Sequence, residues 1–582
     1  MLHPVPASLA LAAVLHLLWL WLFANSGGDL AAQDAWAEFA GRHPDSAYNL
    51  SWYGGMHPVS YSVISPYLMA VLGVRSTMIL VGTVSAGLLA LIVTRCGAVR
   101  RPLLPSLWGA FALVCNAGSG RVTFGLGLMF ALGAVAVIFA GPRDGDREPG
   151  ELTRLRGLRI TAIALLSALA TAGSPVAGLF LMVVAAALFL QRRLAPAYAL
   201  AVPPPVVVAL SAWLFPFAGT QPMPAISAVI PILCSVVVFV LAPPEWRTVR
   251  LGSVIYGLGT LATWIIPSQV GSNVERLALI FGGTVLLAAV DHQHARAKHR
   301  TYYLAAVWLA AVGVASWQIA KPVVDIVLTT PNAAWTRELA PLVHQLNRVD
   351  AERGRVEVVP VRSHREASAL VPYVNLARGW NRQADIDRHA LFYDGTLTPD
   401  SYRAWLKRWS VRYVVLPIED RPDTGARQEA ALVSDGQPYL TEIWADSNWR
   451  LFRVEDPTPL VAPPATAERA DEGELVITVE SAGDILVRVP YSPWLGLVDA
   501  EGEGVEPPEV LDDEDLDPSD PEAQLPSDEG VVGEWSEEGT PYLNRNGCLT
   551  EAGDWTRLHA PHAGTYRIAA PYQLPRGTPC PE

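Results

Sequence analysis

Lysine is nearly missing from this chain. Only Lys298, Lys321 and Lys407 occur in 582 residues, so almost all positive charge is arginine, a coding bias that says little about partners. Cysteine is scarce too. Of the five, Cys96, Cys115 and Cys234 lie in or beside apolar runs, and Cys548 and Cys580 lie near the C-terminus. No metal-ligand spacing is among them. The last two form a disulfide if their domain is outside the cytoplasm, and two free thiols are the equal alternative. No GxxxxGK[ST] loop is present, which argues against ATP-driven transport. The N-terminus lacks a charged n-region and a clear A-x-A site, so its apolar run reads as a retained helix. A basic nucleic-acid surface is also lacking. The net charge is −13, yet Asp499–Glu538 alone holds seventeen acids and no Lys or Arg; without it the chain would carry +4. Nucleic acid is therefore no partner.

Long apolar runs are what the chain has. Mean hydropathy is +0.26, too apolar for an ordinary soluble enzyme. A spanning helix needs about 20 apolar residues. The candidates are 7–24, 76–93, 103–117, 122–140, 160–173, 176–190, 197–217, 225–242, 251–267, 276–290 and 302–320. Arginines cluster at 95–101, 143–159, 192–193, 247–250 and 296–300. The positive-inside rule puts every cluster on the cytoplasmic side if the N-terminus is inside and 58–73 does not span. Pro58–Gly73 then reads as a helix that lies in the interface or re-enters. About eleven spans follow, with residues 321–582 outside the plasma membrane. Pro175, Pro203–Pro205, Pro216 and Pro231 read as kinks.

The expected organisation is a transmembrane domain over 1–320, with a first external loop at 25–75. An extracytoplasmic α/β domain at 321–460 and a β-rich module at 461–582 follow. Thr398–Trp409 predicts a helix with Thr398 or Asp400 near its N-cap. Val411–Leu416, Trp449–Val454, Glu474–Val479 and Asp484–Pro490 predict strands, and Trp555–Pro571 continues the module. The acidic insert, 499–538, is Pro-rich and lacks apolar periodicity, so it reads as disordered. Its oxygens lack the EF-hand spacing that calcium needs.

Chemistry is sought on the external face. Asp29, Asp34, His57, Arg121, Asn273, Glu275 and Arg276 come from three loops at one membrane level. Charged groups at that depth are costly and mark function by default. Asp29 and Asp34 are five apart, about 140° on a helix, so they do not form one carboxylate pair. Asp29 and Gln33 share a face instead. Asp29 is favoured as a base because it sits closest to the first helix; capping an interfacial helix is the competing role. Arg121, among the small residues of NAGSGRVTF, suits a phosphate through its planar fork, or else anchors at the interface. Glu275 and Arg276 are candidate substrate-binding residues with Asn273, or else simply pair with each other. His57, before Pro58, is more at home in a structural role.

An acid-bearing first loop, GGDLAAQD, many spans and an external tail together resemble the GT-C superfamily of integral membrane glycosyltransferases. The run GWNRQADIDRHALFYDGTLTPDSYRAWLKRWSVRYVVLP is similar to the external domain of uncharacterised actinobacterial membrane proteins of this layout. GGDLAAQD departs from the tight Asp-Asp or Asp-Glu pair of many members. The resemblance implies inverting transfer of a sugar from a polyprenyl-phosphate donor in the membrane lipid to an envelope glycan or glycolipid. An Asp would act as general base and an Arg would steady the leaving phosphate. A divalent metal is left open, because members differ. Two other readings compete: a transporter or flippase, although no internal repeat is found, and a non-catalytic envelope assembly protein.

Overall fold

A computed structural model describes residues 3–139, 149–293, 300–332, 335, 338–505, 507, 509–510, 533–535, 541–543 and 546–581. The core of the acidic insert and the loop carrying Arg143 and Arg147 lie outside the described residues. The chain divides into two compact units. The first comprises Met1–Ala37, Val59–Thr330 and Asn381–Arg388; the second comprises Glu38–Pro58, Pro331–Trp380 and His389–Glu582.

The first unit is helical. Its elements are α1 (Pro4–Leu22), α2 (Asp29–Arg42, which ends in the second unit), α3 (Ser65–Leu72), α4 (Val74–Arg95), α5 (Leu103–Gly118), α6 (Val122–Phe139) and α7 (Pro149–Gly173). Then come α8 (Pro175–Leu190), α9 (Leu194–Ala201), α10 (Pro203–Leu214), α11 (Ala225–Leu241), α12 (Arg247–Ile265), α13 (Arg276–Gln293) and α14 (Arg300–Thr329). All eleven expected apolar segments are helical, the seventh broken into α9 and α10. Six stretches among the described residues are long and apolar enough to cross a bilayer. Their outward faces stay greasy: Trp21 is 82% exposed and Leu309 76%. Lipid, not water, is the solvent that suits such faces.

Proline acts differently from expectation. Pro175 and Pro203 open α8 and α10, where the missing N–H costs nothing. Pro231 and Pro322 sit inside α11 and α14. The segment expected to end at residue 320 therefore runs on to Thr329 as one helix. Pro58–Gly73 is corrected as well: only Ser65–Leu72 is helical, about 12 Å long and too short to span. Helices pack closely through small residues. A Cβ on Gly127 of α6 would come 2.7 Å from the Ala170 carbonyl oxygen of α7, an approach only glycine permits.

The second unit contains an α/β sheet in the order β1 (Arg355–Val358), β2 (Val411–Pro417), β4 (Trp449–Val454), β3 (Leu440–Ala445). β1 and β2 run parallel and the other pairs are antiparallel. The helix Pro399–Arg408 between them carries a complete capping box on Thr398, as the Thr-Pro-Asp-Ser run implies. The C-terminal module has the antiparallel sheet β5 (Ala465–Ala470), β6 (Glu474–Val479), β14 (Gly564–Ala569), β8 (Gly496–Leu497). Beside it is β12 (Cys548–Ala552), β13 (Trp555–Ala560), β7 (Gly483–Val487). A short third sheet joins β10 (Gly533–Trp535), β11 (Pro541–Leu543) and β9 (Glu509–Val510). Side chains of β6 alternate between half-buried and buried, the period-2 signature of a strand with one face inward. Cys548 and Cys580 are disulfide-bonded.

Charge is buried in the α/β core. Arg378 donates from Nη1 to Glu429 Oε2 at 2.9 Å and lies 3.6 Å from Glu357 Oε1. The Tyr402 hydroxyl donates to Glu429 Oε1 at 3.0 Å. Removing one partner of such a network strands the others. Arg378→Met should cost about 3–5 kcal/mol, read as a large fall in melting temperature; a change within scan error would show that the carboxylates do not depend on Arg378.

Glu472 gives a pH signature. Arg42 grips it from Nε at 2.9 Å and Nη2 at 3.0 Å, yet burial outweighs Arg42 and lifts the carboxyl to about 7. The folded state thus holds the proton more tightly than the unfolded chain does. The stability it contributes is complete below the ordinary carboxyl range and is lost as pH climbs through 7. Relative to Glu472→Gln, the wild-type melting temperature should fall between about pH 5 and pH 8. Parallel curves for the two proteins would rule this out.

Candidate functional site

The site begins where α1 hands over to α2. Gly28 takes φ +61°, a left-handed turn open to glycine, and a Cβ there would come within 3.0 Å of Thr329 at the end of α14. Asn25 Nδ2 donates to Thr330 Oγ1 at 3.0 Å. Asp29 is the first residue of α2, where the helix dipole favours an anion. It is half-buried.

Gln33, one turn on, locks this helix to the α5–α6 turn. Its Nε2 donates to Asp29 O at 2.8 Å and to Gly120 O. Its Oε1 accepts from Thr123 N at 2.9 Å and Thr123 Oγ1 at 3.2 Å. Gly120 makes the approach possible. Its φ is +70°, and a Cβ there would sit 3.2 Å from Leu30 N. Arg121 follows directly, so the amide that fixes Asp29 also fixes Arg121.

Arg276 gathers the rest. Its Nη2 donates to Asn273 Oδ1 at 2.5 Å, and its guanidinium lies 5.1 Å from the Phe124 ring centroid. It interacts electrostatically with Tyr61, Arg121 and Asp29. Arg276 thus turns to Asn273 rather than to its neighbour Glu275, which is buried and interacts electrostatically with Tyr256. Arg121, Arg276 and Lys321 line one small cavity with Asn116 and Gln318. Its volume is about 20 Å³, room for about one water molecule.

Three participants escape a reading by sequence. Arg75, at the start of α4, pairs with Asp34 and donates to Asn25 O at 2.8 Å and Ser26 Oγ at 3.2 Å. Asp34 is thereby engaged by Arg75, while Asp29 interacts electrostatically with Arg276. Lys321 and Asp325 lie past the residue where the last span was expected to stop. Asp325 accepts from Lys321 Nζ at 2.6 Å and Ser119 Oγ at 2.8 Å, and sits 3.6 Å from Arg121 Nη2. A lone cation at the mouth of an apolar run was the available signal for Arg75, and the acid four residues after Lys321 for the other pair.

His57 does not join them. It belongs to the second unit, where Nδ1 meets Ala47 O at 2.8 Å and Nε2 meets Ser492 Oγ at 3.2 Å. Both nitrogens are spent on that unit's own fold.

Residues 462–582 match a family model described as a domain of unknown function (DUF8823). No curated protein matches the chain. Among solved structures, the chain is similar to the archaeal oligosaccharyltransferase AglB from Archaeoglobus fulgidus, determined in complex with an inhibitory peptide and a dolichol-phosphate. Identity is 11%, the TM-score is 0.44, and the match covers 71% of this chain and 69% of that one.

The Gln33 clamp is directly testable. Gln33→Leu keeps the volume but leaves the buried Gly120 carbonyl and Thr123 amide without this partner, at about 1–3 kcal/mol each. Thermal melts of the purified protein should show a clear loss of stability; an unchanged melting temperature would remove Gln33 from this role.

Proposed function

We propose that this chain is a membrane glycosyltransferase of the GT-C type, moving a sugar from a polyprenyl-phosphate donor to a glycan or glycolipid acceptor of the cell envelope. One observation carries the reading: Arg121 and Arg276 line one small cavity, and Arg276 feels the charge of Asp29. A carboxylate that can accept a proton thus shares a site with two guanidinium groups that can hold a phosphate. The cavity-lining Lys321 adds a third cation.

In this reading Asp29 takes the proton from the acceptor hydroxyl as the oxygen attacks the anomeric carbon. The bond from that carbon to the phosphate oxygen breaks, and the polyprenyl phosphate leaves with the electron pair. Arg121 and Arg276 offset the charge that grows on it. One displacement inverts the anomeric centre. Asp34, held by Arg75, acts by positioning the Asn25–Ser26 turn ahead of Asp29. Asn273 orients Arg276, and Glu275 supports the turn behind it. Metal ligation fits poorly: among the described residues no three His, Cys, Asp or Glu side chains converge as a ligand set. No step is routed through a metal.

The disulfide supports an extracytoplasmic C-terminal module, since such bonds persist in oxidising compartments. The plasma membrane is the setting this implies.

The deciding experiment compares wild type with Asp29→Asn at matched expression, in membranes supplied with radiolabelled lipid-linked sugar. Loss of a general base should lower transfer about 10²–10⁴-fold, with the protein still folded by melting temperature. Transfer at the wild-type rate would falsify the assignment of Asp29.

A further inference from the structure

A second cavity runs among the same helices, from Leu277 and Ala278 beside Arg276 to the helix ends far from the candidate site. It has a volume of about 540 Å³ and sits among α4, α6, α8, α11, α12 and α13. That volume falls in the range of small-molecule sites, about 300–1,000 Å³. Along α4 the candidate site takes Arg75, near the start, whereas this cavity takes Leu89 to Val93 and the residues just after the helix. Along α6 it takes Leu128 to Phe139, and not the Arg121 end. Neither Asp29, Arg121 nor Arg276 lines it.

Its walls are apolar, with Leu89, Val135, Phe180, Val238, Phe281 and Val285 among them. Water needs several polar partners in a buried space, and such walls give it few. The mouth is different. Gln191 and Thr248 hydrogen-bond across α8 and α12 at 3.0 Å, and Arg247, exposed, stands beside them. Arg193 lies 5.4 Å from the ring of Phe139, a wall residue. Arg100, Arg192 and Arg193 are exposed at the same helix ends. Glu245 is the only acid among the described residues lining the cavity.

An apolar slot in a helix bundle with a cationic mouth matches a lipid of one kind. We propose that this cavity takes an acyl chain of an anionic phospholipid, with the headgroup phosphate against Arg247. Basic pockets between membrane helices on the arginine-rich side bind acidic headgroups by the same physics. The long-chain walls exclude a headgroup alone, and the cations set the preference over zwitterionic lipid. This site serves no step of the transfer reaction and stands whether or not that reaction is correct.

The test uses the full chain purified in detergent and native mass spectrometry, with phosphatidylglycerol and phosphatidylcholine of matched acyl chains. One phosphatidylglycerol should be retained about tenfold over phosphatidylcholine. Arg247→Ala, at an exposed position, should erase most of that preference. Gly252 lines the cavity, and the nearest atom to a Cβ built on it is 4.0 Å away. Gly252→Phe should fill the slot and cut retention of both lipids. Inorganic phosphate should give no thermal shift, while phosphatidylglycerol should give one, and Asp29→Asn should bind lipid as wild type does. Equal retention of the two lipids, or a preference untouched by Arg247→Ala, overturns the proposal. So does a thermal shift with phosphate alone. Should Gly252→Phe fail to fold, the Arg247→Ala comparison decides.

Discussion

A single primary amide sets the geometry on which the candidate site rests. Gln33 is 4% exposed, and both ends of its side chain are committed. It ties the first turn of α2 to the Gly120–Thr123 turn, two segments that are 87 residues apart at the Gly120 contact. Buried polar groups of this kind are costly when half satisfied and specific when fully satisfied. Here the same bonds that satisfy Gln33 fix where Asp29 and Arg121 stand. The glycine at 120 is the complementary requirement, because its φ of +70° is strained for any side chain and a Cβ there would crowd Leu30 N at 3.2 Å.

The charges around this clamp are distributed with some economy. Arg75 takes Asp34, and Lys321 with Ser119 takes Asp325. Asp29 is left with the field of Arg276, which another element contributes. Two carboxylates five residues apart on one helix thereby acquire different surroundings, and different surroundings are how identical side chains take different chemical roles.

Much of this was legible in the residues, and the exceptions have physical reasons. The apolar runs announce helices because bilayer length and composition leave few alternatives. The shared face of Asp29 and Gln33 follows from the helical repeat alone, and the Gln33–Asp29 contact has that spacing. Thr398 announces its helix because capping is local. What sequence could not supply was tertiary. Pro322 looks like a stop signal, but α14 carries it and packs it beside Gly118, where a Cβ would lie 3.1 Å away. Ending the last span at residue 320 left Lys321 and Asp325 unread. The partner of Asp34 lay 41 residues on, beyond any local pattern. His57 fell at the right distance from the first helix, and only the fold shows its nitrogens engaged with Ala47 and Ser492.

The path of the backbone between the two units limits how the protein can be dissected. Residues 38–58 leave the helical unit to join the second, where Leu50 N bonds Glu472 O and Ala47 N bonds Ala570 O. Residues 381–388 make the reverse journey, and Gln383 Nε2 donates to Gln269 O. A scissors cut after Thr330 would therefore yield no clean halves. One fragment would keep a segment whose hydrogen-bond partners are gone, and the other would carry a short helix with no surface to rest on. Expression of either part alone calls for a grafted copy of the exchanged segment, supplied by linker or in trans.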